Sequence, residues 1–184
     1  MHNSGRVISE IIARCFPEMA EAAPAIAYVI SNEKGYNPND NGVPSNFGIR
    51  QAGAYAHIDV KSLTVEEASA IYLRDFWIFG GFTSQRLANK ILDFYVNLPP
   101  AVAIRLLQSA IAFVNATPSV VCDGVLGPIT IAAVNNICLR LGDPSSPSGE
   151  DRLIDELKFR LVAHYDQFAD PSEKDGLWRR AVKG

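Results

Sequence analysis

An apolar helical stripe near the start of the chain leads to one acid and then stops. Apolar residues recur there at three- and four-residue steps, which places them on one face of a helix. The members of this face are Ile26, Val29, Ile30 and, last, Glu33. Gly35 suits the left-handed position that ends a helix, so Glu33 is predicted to lie in the last turn. Burial and the helix dipole both oppose its ionisation there, and we expect a carboxylic acid that keeps its proton near neutral pH. The simpler interpretation is an exposed helix-end glutamate, the usual environment of this residue type.

The segment after this helix is polar and dense in turn-forming residues. Residues 37–44 read N-P-N-D-N-G-V-P, and Ser45 and Asn46 follow. Structurally, such a segment is a surface loop. Functionally, a stiff polar loop beside a buried acid is suited to holding water and sugar hydroxyls, so we expect it to form the other wall of a cleft.

The order of residues from Glu33 to Ile49 resembles the signature of the glycoside hydrolase 108 family. That signature reads approximately E-G-G-Y, N-D-P-G-G and T-N-Y-G-I. Its members are lysozyme-like N-acetylmuramidases, found as phage endolysins and as secretion-associated muramidases. The resemblance implies that Glu33 is the catalytic general acid. It supports Asp40 and Ser45 only as cleft residues. We expect Asp40 to orient or activate water, or to stabilise the transition state, and Ser45 to hold the nucleophilic water.

The chain departs from the family signature at a few positions. They are Lys34, Asn41, Val43, Ser45 and Phe47. Serine keeps the hydroxyl of threonine and phenylalanine keeps the ring of tyrosine, so those two changes are mild. Lys34 places a cation next to the acid, where it favours the ionised form or attracts anionic wall polymer.

Six further side chains are candidates for substrate binding. They are Tyr36, Asn46, Gln51, Tyr72, Trp77 and Asp123. The first two belong to the signature, and Gln51 lies just beyond it. Tyr72 and Trp77 resemble a tyrosine and a tryptophan of the family, although aromatic residues at helical spacing usually belong to the core. Asp123 opens a D-G-x-x-G-P-x-T run that resembles the family's wall-binding half, and its simplest role is to cap that turn.

Other polar residues have structural explanations. Thr64 followed by Glu67 forms a capping box, which accounts for the neighbouring acids of that helix. His57 and Asp59 are interpreted as turn residues in preference to an acid–base pair. Residues 47–49 and 55–58 are predicted to form a short hairpin-like ribbon. Arg179 and Arg180 are interpreted as a solvated helix end, with attraction of anionic wall polymer as the alternative.

These patterns predict a mainly α, lysozyme-like α+β fold, a helical bundle with a small loop or β-ribbon region at the cleft. We expect a catalytic region at residues 1–84 and a helical peptidoglycan-binding region at residues 85–184, integrated in one compact globule. Asp93, Asn97 and Gln108 match the family in this second region. A first helix is predicted at residues 4–16.

Charge and composition limit the partners. The formal net charge of −3 over 184 residues argues against general nucleic-acid binding, and no run of about 20 apolar residues spans a membrane. The N-terminus lacks the pattern of a secretory signal. The three cysteines are predicted to be buried thiols made in a reducing cytoplasm, and no metal or organic cofactor is expected. We expect a monomer made in the bacterial or phage-infected cytoplasm that acts on peptidoglycan glycan strands in the periplasm or cell wall.

The resemblance implies a muramidase that cleaves the β-1,4 bond between N-acetylmuramic acid and N-acetylglucosamine. It leaves open phage lysis or toxin secretion as the setting. The alternatives are a non-catalytic peptidoglycan-binding or secretion accessory protein, and a wall peptidase on the same scaffold.

Overall fold

The computed structural model describes residues 18–33, 35–115, 120–143, 145–171 and 174–183. The helix predicted at residues 4–16, Cys15 and Lys34 lie outside these ranges. Within them the chain forms seven α-helices and one small sheet. The helices are α1 (Ala22–Asn32), α2 (Val65–Asp75), α3 (Gln85–Tyr95), α4 (Pro100–Asn115), α5 (Pro128–Cys138), α6 (Gly149–Phe168) and α7 (Lys174–Val182). The strands are β1 (Asn37–Asp40), β2 (Val43–Asn46) and β3 (Ile49–Arg50), and short 3₁₀ helices cover Gly53–Tyr55 and Val60–Ser62. The predicted mainly α, α+β fold is confirmed.

Helix α1 buries the predicted apolar face but ends one residue earlier than predicted. Ala25, Ile26 and Val29 are buried, and the last helical residue is Asn32. Glu33 follows in an extended conformation, with φ −80° and ψ 144°. Gly35 is not among the glycines with positive φ, so an extended Glu33 ends the helix and no left-handed glycine is needed. The carboxyl group of Glu33 lies beside Gly48, in the turn between β2 and β3.

The sheet is an antiparallel meander in the order β1-β2-β3. Two-residue turns join its strands, and both residues of each turn have positive φ: Asn41 and Gly42, then Phe47 and Gly48. This is the conformation of type I′ hairpins, whose twist matches that of the strands. The predicted ribbon between residues 47–49 and 55–58 is therefore wrong. Residues 47 and 48 form a turn, and residues 53–55 are a 3₁₀ helix.

One continuous core joins both parts of the chain, since a single cluster of buried apolar residues runs from Ala20 to Ala181. Helix α1 packs mainly against α3 and α2, α4 packs against α6, and α6 packs against α7. The predicted capping box is present at the start of α2, where Thr64 and Glu67 exchange side chain-to-backbone hydrogen bonds. The division at residue 84 stays a prediction.

The structure also bears on the predictions about the cysteines and about membrane-spanning segments. Cys138 is half-buried, and burial raises the pKa of its thiol to about 12, whereas Cys122 is exposed. The prediction of a buried thiol is therefore wrong for Cys122. Among the described helices, none is both long enough and apolar enough to cross a membrane.

Candidate active site

A cleft of about 1140 Å³ lies between the sheet region and the C-terminal helices. Its sheet wall is formed by residues that include Asn32, Glu33, Asp40, Ser45, Gly48 and Arg50. Its C-terminal wall is formed by residues that include His164, Phe168, Leu177, Arg179 and Arg180, and Asn97 from the segment after α3 lines the cleft as well. The residues of the two walls are therefore far apart in the sequence.

Glu33 lies inside this cleft with little exposure to solvent. Its side chain is 14% exposed, and its Oε1 lies 2.7 Å from Nη2 of Arg180. The expectation of a protonated Glu33 rests on burial and the helix dipole, and it stays a prediction. The guanidinium of Arg180, a group of opposite charge from a distant part of the chain, is a contact that the local sequence does not show.

The turn between β2 and β3 covers the carboxyl group of Glu33. Gly48 has φ +77°, and a Cβ built on it would lie 2.6 Å from Cδ of Glu33 and 2.8 Å from the hydroxyl of Tyr72. Tyr72 is buried, and its hydroxyl donates a hydrogen bond to the carbonyl of Phe47, 2.8 Å away. Burial, followed by the nearby Glu33 charge, raises the pKa of Tyr72, so this hydroxyl stays a donor. Tyr72 thus fixes the turn that lies against the acid.

Arg180 connects Glu33 to a second carboxylate, Asp93 of α3. Asp93 is 1% exposed and accepts a hydrogen bond from Nε of Arg180 at 2.9 Å. Nη2 of the same guanidinium lies 2.7 Å from both Asp93 Oδ1 and Glu33 Oε1. Asn32 donates to Asp93 as well, at 3.0 Å. Burial alone would lower the pKa of Arg180, but the hydrogen bonds and charges of the two carboxylates outweigh burial and raise it.

Lys90 fastens the C-terminal end of α7 beside this cluster. Its side chain is buried, and Nζ donates to the carbonyls of Arg180 and Lys183 at 2.7 and 2.6 Å. Cations at a helix C-terminus satisfy carbonyls that have no partner within the helix. Burial lowers the pKa of Lys90 to about 8. The backbone that carries Arg180 is therefore held at a defined position.

Asp40 and Ser45 line the same cleft as Glu33. The Asp40 carboxylate lies 3.5 Å from Nε of Arg50, whose Nη2 also donates to the Asp40 carbonyl at 2.9 Å. Ser45 is 6% exposed and pairs with Asn37 on one side and Arg50 on the other. The three residues predicted to be catalytic are thus brought together, and their roles stay predictions.

The six candidates for substrate binding do not line the cleft. Tyr36 is exposed, and Gln51 uses its backbone N–H to donate to Pro44. Asn46 is buried and donates to the carbonyls of Val60 and Leu63.

The remaining three lie elsewhere. Tyr72 lies beneath the turn described above. Trp77 packs edge-on against Phe79, with ring centroids 6.0 Å apart. Asp123 accepts a hydrogen bond from the Gln108 side chain of α4 and another from the backbone N–H of Val125 in its own turn. Their contacts with substrate stay predictions.

Two residues that lie against the acid, Gly48 and Arg180, have no catalytic or positioning role predicted from the sequence. Gly48 was visible within the signature, but nothing in the sequence indicated that its backbone meets the Glu33 side chain. The sequence favours a solvated helix end for Arg180, with attraction of anionic wall polymer as the alternative, whereas its side chain is 15% exposed and lies against Glu33. No local pattern distinguishes it from Arg179, because the difference lies in which face of α7 each residue occupies.

Comparisons with known proteins agree with the resemblance. Residues 26–98 match the family described as Glycosyl hydrolase 108. Among solved structures, the chain is similar to SagA of Brucella abortus, with 27% identity and a TM-score of 0.61, covering 88% of this chain and 93% of that chain. No curated protein matches. The matched segment contains Glu33, Asp40, Ser45 and Gly48. Over residues 26–98 this chain is therefore similar to the glycosyl hydrolase 108 family.

Proposed function

We propose that the protein is a peptidoglycan hydrolase, an N-acetyl-β-D-muramidase that cleaves the β-1,4 bond between N-acetylmuramic acid and N-acetylglucosamine. One observation carries this proposal: the carboxyl group of Glu33 is held between Gly48 and Arg180 inside a cleft of about 1140 Å³. A cleft of this size takes an extended ligand such as a glycan strand. The match of residues 26–98 to a glycoside hydrolase family supports the same chemistry.

In the proposed reaction Glu33 donates its proton to the glycosidic oxygen as the bond to the anomeric carbon breaks. Asp40 orients or activates the attacking water, or stabilises the positive charge that develops on the sugar ring. The hydroxyl of Ser45 hydrogen-bonds to that water. The stereochemistry of the product tests activation of water by a general base, which gives inversion, against direct attack by a carboxylate, which gives retention.

The proposal is tested by digesting purified sacculi with the wild-type protein and with Glu33→Gln. We expect the wild type to release fragments with new N-acetylmuramic acid reducing ends, identified by mass spectrometry after borohydride reduction. Glu33→Gln keeps the size of the side chain and its ability to form hydrogen bonds, but an amide has no acidic proton to transfer to the glycosidic oxygen. The variant is therefore expected to lose at least 10²-fold in rate. Glu66→Gln is a matched control, because Glu66 lies exposed in the first turn of α2.

Other products would identify the alternatives. New amino termini without reducing sugars indicate a wall peptidase. Binding to sacculi without any cleavage indicates an accessory protein. Equal digestion by wild type and Glu33→Gln would sink the proposed mechanism.

The cellular setting we propose is lysis by a phage or release of a toxin, and in both cases the substrate is the cell wall. The neighbouring genes distinguish the two settings: holin and spanin genes accompany phage lysis, and a toxin locus accompanies secretion.

A further inference from the structure

Arg180 is shared by two carboxylates that come from different parts of the fold. Glu33 follows the last turn of α1, and Asp93 lies in the last turn of α3. Only Glu33 reaches the cleft, since Asp93 is 1% exposed and does not line it. Asp93 therefore acts on the site through Arg180 and does not touch a substrate.

The charges of this cluster bear on how Glu33 takes up a proton. Arg180 and Asp93 form a pair with no net charge, with an Nε–H···Oδ1 hydrogen bond of 2.9 Å. An ionised Glu33 adds one negative charge beside this pair, and protonation removes it. Without Asp93, the full charge of a buried guanidinium would act on Glu33 and hold it ionised. Without Arg180, two carboxylates would face each other in a buried site, and one would take up a proton.

We propose that Asp93 is a positioning residue of the hydrolytic site, which balances the charge of Arg180 so that Glu33 alternates between its acid and carboxylate forms. This inference rests on the proposed function, in which Glu33 is the general acid. Arginine suits the bridging position because its planar guanidinium contacts two carboxylates at once, whereas a lysine ammonium does not hold the same fixed geometry.

Other titratable groups face the cluster from every helix packed against it. They are Tyr28 of α1, Tyr72 of α2, Lys90 of α3, Tyr165 of α6 and, following α7, Lys183. Burial raises the pKa values of all three tyrosines, so they stay neutral in the acidic range. Lys90 is the group that titrates near pH 8. The experiment is therefore confined to pH values below about 7, where Lys90 keeps its proton.

The direct test is the titration of the Glu33 carboxyl group by NMR in the full chain labelled with ¹³C-glutamate, with the Glu33 signal assigned by its loss in Glu33→Gln. Arg180→Gln is expected to move the titration midpoint up by about one pH unit or more, because it removes the cation. Asp93→Asn is expected to move the midpoint down by a comparable amount, because Arg180 then acts on Glu33 alone. A loosened fold does not produce shifts of opposite sign.

Two variants serve as controls. Arg179→Gln removes the same charge from the adjacent exposed residue of α7, and it is expected to leave the midpoint in place because solvent screens that guanidinium. Arg180→Lys keeps the positive charge but loses the planar group that contacts both carboxylates. The titration midpoint of Glu33 is therefore expected to lie closer to wild type in Arg180→Lys than in Arg180→Gln. Thermal unfolding of each variant identifies the temperature range in which all of them are folded.

The pH dependence of activity on sacculi is expected to shift in the same directions as the titration midpoint of Glu33. The alkaline limb of the kcat profile, where the general acid loses its proton, moves up in Arg180→Gln and down in Asp93→Asn. Shifts of the same sign in the two variants, or the lack of a shift in either, would overturn the inference. If the wild type releases no reducing ends, the proposed function fails whatever the titrations show. If it does release them and the midpoints do not move, only this inference fails.

Discussion

A Cβ atom at position 48 would lie 2.6 Å from Cδ of Glu33, so the backbone of Gly48 and the carboxyl group of Glu33 meet with no room for a side chain between them. Glycine is required at this position for a second reason, because its φ of +77° is one that residues with a side chain rarely adopt. The turn between β2 and β3 and the position of the acid are therefore coupled.

Gly48→Ala is expected to damage activity more than stability. The left-handed backbone costs about 1–2 kcal/mol with alanine. The added methyl group displaces the Glu33 carboxyl, and a displacement of about 1 Å costs on the order of 10²-fold in rate. Rates on sacculi and urea unfolding measure the two effects.

Gly42→Ala is the matched control for this change. Gly42 has φ +89° in the other two-residue turn, and nothing lies within 4 Å of a Cβ built there. It is expected to lose similar stability while its activity stays near wild type. Equal losses of activity in the two variants would mean that backbone strain, and not contact with Glu33, explains the effect.

Tyr72→Phe is expected to loosen the same turn. The substitution leaves the Phe47 carbonyl without its 2.8 Å donor, which costs about 1 kcal/mol, and we expect roughly a tenfold loss of kcat as Gly48 becomes less well placed. Tyr55→Phe removes a hydrogen bond of the same length to the exposed Asp75, outside the residues that line the cleft, and is expected to keep wild-type kinetics. Wild-type kcat in Tyr72→Phe would show that the turn keeps its position without this bond.

Asn46→Asp separates a structural role from the predicted substrate contact. Asn46 is 6% exposed and donates to the carbonyls of Val60 and Leu63, at 3.0 and 3.4 Å. A carboxylate there donates nothing and faces two carbonyl oxygens, so we expect a loss of about 3 kcal/mol in unfolding free energy. Asn39→Asp, at an exposed side chain that accepts from Gly42, is expected to change little. A raised KM with unchanged stability in Asn46→Asp would instead support contact with sugar.

Lys90 is expected to make stability depend on pH in the alkaline range. Burial lowers its pKa from the ordinary 10.5 to about 8, so between these values the unfolded chain binds more protons than the folded chain. The unfolding free energy therefore rises with pH across this window, by at most about 3 kcal/mol. Below pH 8 both states are protonated and the contribution of Lys90 is constant.

The comparison with Lys90→Met isolates this effect. Burial raises the pKa of Tyr165 to about 12, and tyrosines of this kind lower stability above about pH 10 in both proteins. We expect the wild-type curve of unfolding free energy to rise more steeply than the variant curve from pH 7 to 9.5, while Lys61→Met, at an exposed lysine, follows the wild type. Parallel curves for wild type and Lys90→Met would contradict the prediction.

Local patterns were sufficient for much of the fold. The apolar face of α1, the capping box at Thr64 and the mainly helical class follow from periodicity and end signals, which act over a few residues. The Asn41-Gly42 pair is typical of a two-residue hairpin turn. The many turn-forming residues on both sides of it favour a surface loop, and the structure instead forms β1 and β2 there. The Phe47-Gly48 turn was harder to predict, because a bulky residue at φ +50° is an outlier that only the surrounding contacts explain.

For the site, the sequence alone indicated Glu33 as the candidate acid, the polar segment that carries Asp40 and Ser45, and the similarity of residues 26–98 to the glycosyl hydrolase 108 family. The tertiary structure alone decided what surrounds that acid: Gly48 above it, Arg180 2.7 Å away and Asp93 behind the arginine. The physical reason is that the protonation of a buried carboxyl depends on charges and burial through space. Those are set by how α1, α3 and α7 pack together, and no local spacing in the sequence records it.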